Sequence, residues 1–296
     1  MILYVILLIV VFILLYNKLN RLEGFEQDTN TEKTKKCLLV YYGGSFRDGH
    51  IGTTKHDTNY GYESQERASI THAKLKKVLN KKGFQTDIII NTRSTKYTNK
   101  LKDWYSPFNM IINNLSDKIH GKDYMIQSAV KNINKLDKNN YDFMLFIRID
   151  LFLKPEFYNV INTESDKINF LANNYNADNC ETSKNNVPYI VDLFLYLPKK
   201  YYYILDNKFN LNADAWSYYK SRYKLTDNDL TFMTNKIFDS NSYKEYNDYY
   251  IMSSRIENNN VHKNNKICIP FKKIHNTFLN NPTEYYINKY NNFYYS

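Results

Sequence analysis

The sequence predicts an α/β domain with a mainly parallel central sheet, preceded by one N-terminal transmembrane helix. Three observations predict it: an uninterrupted apolar run opens the chain, a strand–helix–strand pattern follows a polar linker, and short apolar runs recur further on. A strand, a helix and a second strand in succession usually build a parallel pair, which sets the expected direction of the sheet.

The first element is the apolar run ILYVILLIVVFILLY, from Ile2 to Tyr16. It is slightly shorter than the ~17–25 residues of a spanning helix, but flanking residues can extend it. No basic segment precedes it and no small-residue cleavage site follows, which favours an uncleaved anchor at 1–21 over a signal peptide. Lys18 and Arg21 follow the run, so the positive-inside tendency favours a single-pass membrane protein with its bulk in the cytoplasm.

Residues 22–36 are polar and charged without apolar periodicity, which predicts a stalk between the anchor and a domain at 37–296. The chain has 296 residues, of which 43% are hydrophobic and 16% aromatic, enough for one large packed core.

The net charge of +10 does not by itself indicate a nucleic-acid partner. Lysine and arginine are scattered rather than clustered, and no zinc-finger or RNA-binding signature occurs, so nucleic acid is an unlikely ligand. The cysteines, Cys37, Cys180 and Cys268, are far apart, which indicates neither a zinc site nor a disulfide framework.

The domain is expected to open with a strand–helix–strand unit. CLLVYY, Cys37 to Tyr42, is a short apolar run typical of a buried strand. A helix is predicted over 64–83, ending at Gly83, and QTDIIIN, Gln85 to Asn91, is the second strand. One face of this helix carries Ala68, His72, Leu75 and Leu79.

Later elements follow the same patterns. A helix is predicted from Lys122 to Leu136, and it leads to a buried strand within Asn140 to Phe157. Lys167 to Asn174 and Pro188 to Pro198 are further strands, and a helix is predicted from Leu230 to Phe238.

A glycine-containing loop, GGSFRDG, leaves the carboxyl end of the first strand. Gly43 and Gly44 would let backbone amides approach a phosphate or a base closely, with Ser45 beside them. Arg47 is a permanent, fork-shaped cation suited to a diphosphate. The alternative is a flexible surface loop, but long structureless connections in compact domains often bind ligands.

Three more polar residues belong to the same strand–helix–strand unit. Gln65 is in the first turn of the predicted helix, and Arg93 follows the second strand, so both are candidates for nucleotide contact. His72 lies on the apolar face of its helix, where a satisfied core histidine is the more common situation.

Arg148 and Asp150 interrupt the apolar run LFIRIDLFL. Because they are two positions apart on a predicted strand, they should point to the same face. One possibility is an internal ion pair, or a strand that frays into solvent. The other is that Asp150 binds a divalent cation, since hard cations need only one or two carboxylates from the protein.

The stretch from Leu145 to Leu153 resembles the IRxDLxF strand of GT-A-like glycosyltransferases. VYYGGSFRDG and the SQERASITH helix are more loosely similar, and together they resemble membrane-anchored glycosyltransferase-like proteins of large DNA viruses. The resemblance covers about Cys37 to Pro198. It implies a GT-A-like αβα sandwich that binds a nucleotide-sugar, with a metal-binding DxD motif at a strand end.

The resemblance also implies residue roles. Asp150 would hold Mn²⁺ or Mg²⁺ against the diphosphate, and Arg148, where a full DxD has an acid, could contact the nucleotide. Asp192, the acid within YIVDLF, would be the general base that an inverting transferase needs, or simply an edge-strand acid facing water. Less favoured acids and ligands are Asp178, Glu181, Asp239 and His275.

The sequence therefore predicts a glycosyltransferase that moves a sugar from a nucleotide-sugar to a hydroxyl of a glycan or protein. The alternative is a catalytically inactive sugar- or nucleotide-binding module of the same fold. A nucleic-acid-binding protein is the third possibility, and it rests on net charge alone.

Overall fold

The computed structural model describes part of the chain: 34–46, 59–106, 110–115, 122–153, 155–171, 173–174, 189–190, 193–212, 214–233, 251–253 and 291–296. The predicted anchor at 1–21 lies outside these residues. Within the described ranges, no helix is long and apolar enough to cross a membrane.

The described strands and helices alternate through the first half of the domain, as the sequence predicts. The strands are β1 (Lys36–Tyr42), β2 (Gln85–Arg93), β3 (Met110–Leu115), β4 (Phe143–Arg148), β5 (Leu151–Leu153), β6 (Ile168–Phe170), β7 (Asn173–Asn174), β8 (Tyr189–Ile190), β9 (Phe194–Pro198), β10 (Leu230–Phe232) and β11 (Ile251–Ser253). The helices are α1 (Asn59–Lys81), α2 (Thr98–Tyr105), α3 (Lys122–Ile133), α4 (Pro155–Val160), α5 (Ala215–Tyr223) and α6 (Asn291–Tyr295).

A seven-stranded mixed sheet forms the centre of the domain, in the order β10-β6-β9-β4-β1-β2-β3. β1 pairs in parallel with both β2 and β4, and β2 pairs in parallel with β3. β9 runs antiparallel to both β4 and β6, and β6 is parallel to β10. The expectation of a mainly parallel sheet is confirmed for the described strands.

Helices cover both faces of the sheet, which gives three layers. Alternate residues of β1 enter different cores: Leu39 packs with Leu75 of α1 on one face, and Val40 packs with Val130 of α3 on the other. β1 is buried along nearly its whole length because neighbouring strands and both helical layers enclose it.

The predicted first helix is confirmed and begins earlier, at Asn59, and it ends at Lys81. Gly83 then adopts a φ of +83°, a left-handed conformation that favours glycine after a helix. The helix predicted from Lys122 to Leu136 is confirmed over Lys122–Ile133. α2 and β3, which the sequence pattern did not predict, lie between these helices.

The helix predicted from Leu230 to Phe238 is wrong over its first residues. Leu230–Phe232 is strand β10, which pairs with β6, and the amide of Met233 donates to the Phe170 carbonyl at 2.8 Å. The pairing partner decides this conformation, since three residues do not establish a periodicity.

The long strand predicted within Asn140 to Phe157 is divided. β4 ends at Arg148, residues 149–150 form a turn, and β5 joins β11 in a separate antiparallel pair. The runs predicted at 167–174 and 188–198 are likewise each observed as two short strands. Arg148 therefore lies at the end of a strand and Asp150 lies in a turn, rather than both lying along one strand.

Candidate functional site

The candidate site is the edge of the sheet where β1, β2, β3 and β4 end. All four strands point in one direction, so their carboxyl ends meet at this edge. Ligands of open α/β sheets bind outside such an edge. The glycine loop after β1 and the end of β4 come into contact there, with Gly43 beside the Arg148 side chain.

The glycine loop lies directly against Arg148. Gly43 has a φ of +108°, which a residue with a side chain rarely adopts, and its amide donates to the Asn91 carbonyl at 3.2 Å. A Cβ atom at Gly43 would lie 4.0 Å from Cγ of Arg148. Gly44 follows, and Gly43 and Gly44 are both buried.

Ser45 fixes the next step of the loop. Its amide donates to Oγ1 of Thr92 at 2.9 Å, and the Thr92 hydroxyl donates to Oγ of Ser45 at 2.9 Å. Both residues are fully buried. The predicted ligand-binding loop is therefore held to the end of β2 by side-chain hydrogen bonds, and Thr92 is a site residue that the sequence analysis missed.

Gln65 connects the two halves of the site. Its Oε1 accepts from the Phe46 amide at 3.4 Å, and its Nε2 donates to the Ile149 carbonyl at 2.9 Å. These bonds join the loop after β1 to the turn after β4, and the Gln65 side chain is buried. The geometry favours a positioning role for Gln65, and contact with a nucleotide stays a prediction.

Arg148 and Asp150 form a two-pronged ion pair. Nε of Arg148 donates to Oδ1 of Asp150 at 3.0 Å, and Nη2 donates to Oδ2. The side chains are 10% and 5% exposed, respectively. The turn brings the two side chains together, and backbone bonds hold it: the Ile149 amide donates to Tyr42 and the Arg148 amide to Leu193, at 2.9 and 3.2 Å.

The ion pair bears on the predicted metal site. Both carboxylate oxygens of Asp150 accept from a permanent cation, and the described part of the chain contains no group of three or more histidine, cysteine or acidic residues that could hold a metal ion. These residues do not fit a divalent cation, because both oxygens of Asp150 already accept from the Arg148 guanidinium.

The other predicted site residues are placed as follows. Arg93 is the last residue of β2, half-buried, and pairs in register with Leu115 of β3, so it is at the predicted edge. Arg47 and Asp192 lie outside the described residues, as do Asp178, Glu181, Asp239 and His275. Leu193, which follows Asp192 in sequence, provides the carbonyl that accepts from Arg148.

An aromatic group, which the sequence analysis did not identify, packs on the glycine loop. Phe46 has a φ of +55°, uncommon for a bulky residue, and its ring lies 5.5 Å from that of Tyr97 and 5.8 Å from that of Trp104. Tyr62 lies 4.9 Å from Tyr97. Only the aromatic content hinted at this group, because its members come from separate elements.

His72 is a core residue, as expected. Its Nδ1 is 2.5 Å from the hydroxyl of Tyr105, and its ring stacks on Tyr41 with 4.5 Å between centroids. Burial lowers the pKa of His72 to about 3, so the ring is neutral at physiological pH. Burial also raises the pKa of Tyr105, which stays protonated.

Comparison with known proteins gave solved structures only. No family model matches the chain, and no curated protein matches it. The catalytic domain of Drosophila beta1,4-galactosyltransferase 7 with xylobiose is 13% identical, with 84% of this chain and 79% of that chain covered and a TM-score of 0.40. Another structure of that enzyme contains manganese, UDP-Gal and xylobiose.

A nucleotide-diphospho-sugar transferase from Desulfovibrio desulfuricans, itself named as putative, is 10% identical. The match covers 86% of this chain and 97% of that chain, with a TM-score of 0.38. The galactosyltransferase LgtC is 7% identical over 70% of this chain and 73% of that chain, with a TM-score of 0.34. These proteins are glycosyltransferases, but likenesses this distant assign no residue role and no activity to this chain.

Proposed function

We propose that this chain is a glycosyltransferase that moves a sugar from a nucleotide-sugar donor to a hydroxyl of a glycan or protein acceptor. One observation carries the proposal: the glycine loop, Arg148 and Asp150 meet at the carboxyl edge of four parallel strands. This is where open α/β sheets bind ligands, and a close backbone approach beside a cation suits a diphosphate.

The proposed roles follow from the reaction. An acceptor oxygen forms a bond to the anomeric carbon while the bond from that carbon to the diphosphate breaks, and a nucleoside diphosphate leaves with the electron pair. Arg148, Arg93 and Arg47 would stabilise the negative charge on the leaving group. Asp192 would take the proton of the attacking hydroxyl if the reaction inverts the anomeric centre.

The predicted metal site would hold Mn²⁺ or Mg²⁺ at Asp150, where the cation would stabilise the negative charge on the leaving group. The described residues do not fit this arrangement, because Asp150 is paired with Arg148 through both oxygens. No step of the proposal depends on a metal.

Membrane attachment through 1–21, with the domain on the cytoplasmic side, is also a proposal. It is supported by the apolar run from Ile2 to Tyr16 and the cations that follow it. The likeness to membrane-anchored viral proteins rests on the quoted motifs alone.

A thermal-shift screen of the full-length chain, solubilised in detergent, tests the proposal. UDP-, GDP-, CDP- and TDP-sugars are added with and without Mn²⁺. At about 100 times its Kd, a bound donor stabilises the fold by about 2.7 kcal/mol, which shifts Tm by several degrees. Slow release of the nucleoside diphosphate from that donor is then expected, and the absence of any shift with every donor would contradict the proposal.

The second candidate is an inactive sugar- or nucleotide-binding module. The pairing of Asp150 with Arg148 favours it, since a carboxylate committed to an ion pair is a poor metal ligand or base. It predicts a thermal shift with a donor but no release of nucleoside diphosphate and no transfer to any acceptor in a glycan array.

A further inference from the structure

We infer that Arg148, and not a divalent cation, contacts the donor diphosphate, and that Asp150 is a positioning residue that holds the Arg148 guanidinium. The inference rests on the proposed function, because it concerns how the same site would bind a nucleotide-sugar. It assigns Asp150 a different role from the metal ligand that its sequence motif implies.

The geometry of the pair is the first argument. The bonds from Nε to Oδ1 and from Nη2 to Oδ2 are the parallel, two-pronged arrangement that fixes a guanidinium in one plane. For a cation to bind Asp150, it would have to displace Arg148 or lie beside a permanent positive charge. Both alternatives are unfavourable at a site this buried, where charge repulsion is poorly screened.

The second argument is the burial of the pair. The Arg148 side chain is 10% exposed and that of Asp150 is 5% exposed, so both charged groups are buried at the sheet edge. Water screens a buried guanidinium poorly, which strengthens its interaction with a diphosphate at that edge. A buried carboxylate suits a counter-ion that keeps a buried arginine in place.

The third argument is the neighbouring backbone. Gly43 lies against the Arg148 side chain, and Gln65 joins the loop of Gly43 to the turn that carries Asp150. Backbone amides and a guanidinium are complementary to phosphate oxygens. Loop, guanidinium and carboxylate are thus one connected unit, and a diphosphate oxygen would accept from Arg148 within it.

The test measures binding of ADP, CDP, GDP, TDP and UDP, each against its nucleoside, by isothermal titration and thermal shift of the full-length chain. Each measurement is made in EDTA and again in Mn²⁺. Arg148→Lys and Asp150→Asn are compared with Arg222→Lys, which alters an arginine of another Arg–Asp pair, outside the candidate site. Unfolding curves without ligand identify any variant that is misfolded.

For the unaltered chain, at least one diphosphate should bind equally well in EDTA and in Mn²⁺. Arg148→Lys should weaken binding of that diphosphate by about tenfold or more, because lysine lacks the planar fork of arginine. Binding of the corresponding nucleoside should not change. Asp150→Asn keeps an oxygen for Nε and removes a negative charge near the phosphates. The ratio of diphosphate affinity to nucleoside affinity in this variant should therefore differ from that of the unaltered chain by less than about threefold.

Three results would overturn the inference. If a diphosphate binds only in Mn²⁺ and Asp150→Asn abolishes its binding, Asp150 is a metal ligand and the proposed transferase stands. If the Arg148→Lys variant is folded and binds the diphosphate with the same affinity as the Arg222→Lys variant, Arg148 does not contact the ligand. If no diphosphate and no nucleotide-sugar binds under either condition, the proposed function fails and this inference fails with it. The EDTA comparison needs no variant, so it decides the metal question even if a substitution unfolds the chain.

Discussion

Two Arg–Asp pairs in this protein share their chemistry and differ in their surroundings. Arg148–Asp150 is buried beside the parallel strands, with side chains 10% and 5% exposed. Arg222–Asp206 is near the surface, where Nη2 and Oδ2 are 2.7 Å apart and the side chains are 31% and 32% exposed. Asp206 has further donors in the Lys208 amide at 2.8 Å and the Tyr223 hydroxyl at 2.9 Å.

Burial, more than the presence of a pair, decides what a charge contributes to stability. Water can replace either partner of the surface pair, so that pair contributes little to stability. The Arg148–Asp150 pair is shielded from water, so losing one partner leaves a buried charge that is not easily solvated. A buried pair at the proposed ligand-binding edge is also the better candidate for a functional role.

The largest effect that would test this comparison is expected for Asp150→Ala. It leaves the Arg148 guanidinium buried and without its counter-ion, and arginine does not neutralise itself by losing a proton. The free energy of unfolding should fall by about 3–5 kcal/mol in urea titrations. A loss no greater than that of a typical surface substitution would show that Arg148 relaxes into solvent.

A matched control replaces both partners. Arg148→Met combined with Asp150→Leu removes both charges and retains apolar volume, so its stability should return to within about 1–2 kcal/mol of the unaltered chain. A double variant as unstable as Asp150→Ala would instead mean that the turn at 149–150 needs these residues for another reason.

A smaller loss of stability is expected when the pH is lowered, because His72 is buried in the same half of the domain. His72 has a pKa of about 3 in the folded chain, below its usual value near 6.5, because it is buried. Between these pH values the His72 side chain binds a proton in the unfolded chain but not in the folded one. Its contribution to stability is therefore fully present above pH 6.5 and is lost as the pH falls toward 3. At pH 5 the loss should be about 2 kcal/mol.

His72→Gln is the variant that isolates this contribution, because glutamine offers the Tyr105 hydroxyl an acceptor but does not titrate. Urea unfolding of both proteins from pH 7 to pH 5 should show a shallower dependence for the variant. Equal slopes would place the acid sensitivity in other groups. Tyr41 and Tyr105, which lie against the His72 ring, stay protonated throughout this range because burial raises the pKa of each.

The smallest effect is expected for Arg222→Met at the surface pair. The urea midpoint should be nearly unchanged, and any difference should shrink at high salt because exposed charges are screened. A loss comparable to that of Asp150→Ala would contradict the distinction between the two pairs.

Much of the parallel half of the fold could be predicted from local patterns. The apolar run of β1 and the amphipathic face of α1 both carry a periodicity over enough residues to be recognised. The same patterns located the carboxyl end of β1, and hence the edge of the sheet at which the glycine loop lies. The short elements carried no such signal, which is why α2 and β3 were missed and β10 was predicted as a helix.

Local sequence patterns are enough to predict the parallel strand–helix–strand unit, the sheet edge at which the glycine loop lies, and the importance of Arg148 and Asp150. The folded structure is needed to show that β4 ends at Arg148, that the following turn closes an ion pair, and that Gln65 joins this turn to the glycine loop. Periodicity records which face of an element is buried, and that is a local property. The partner of a buried charge depends on chain segments that are distant in sequence, and folding alone brings them together.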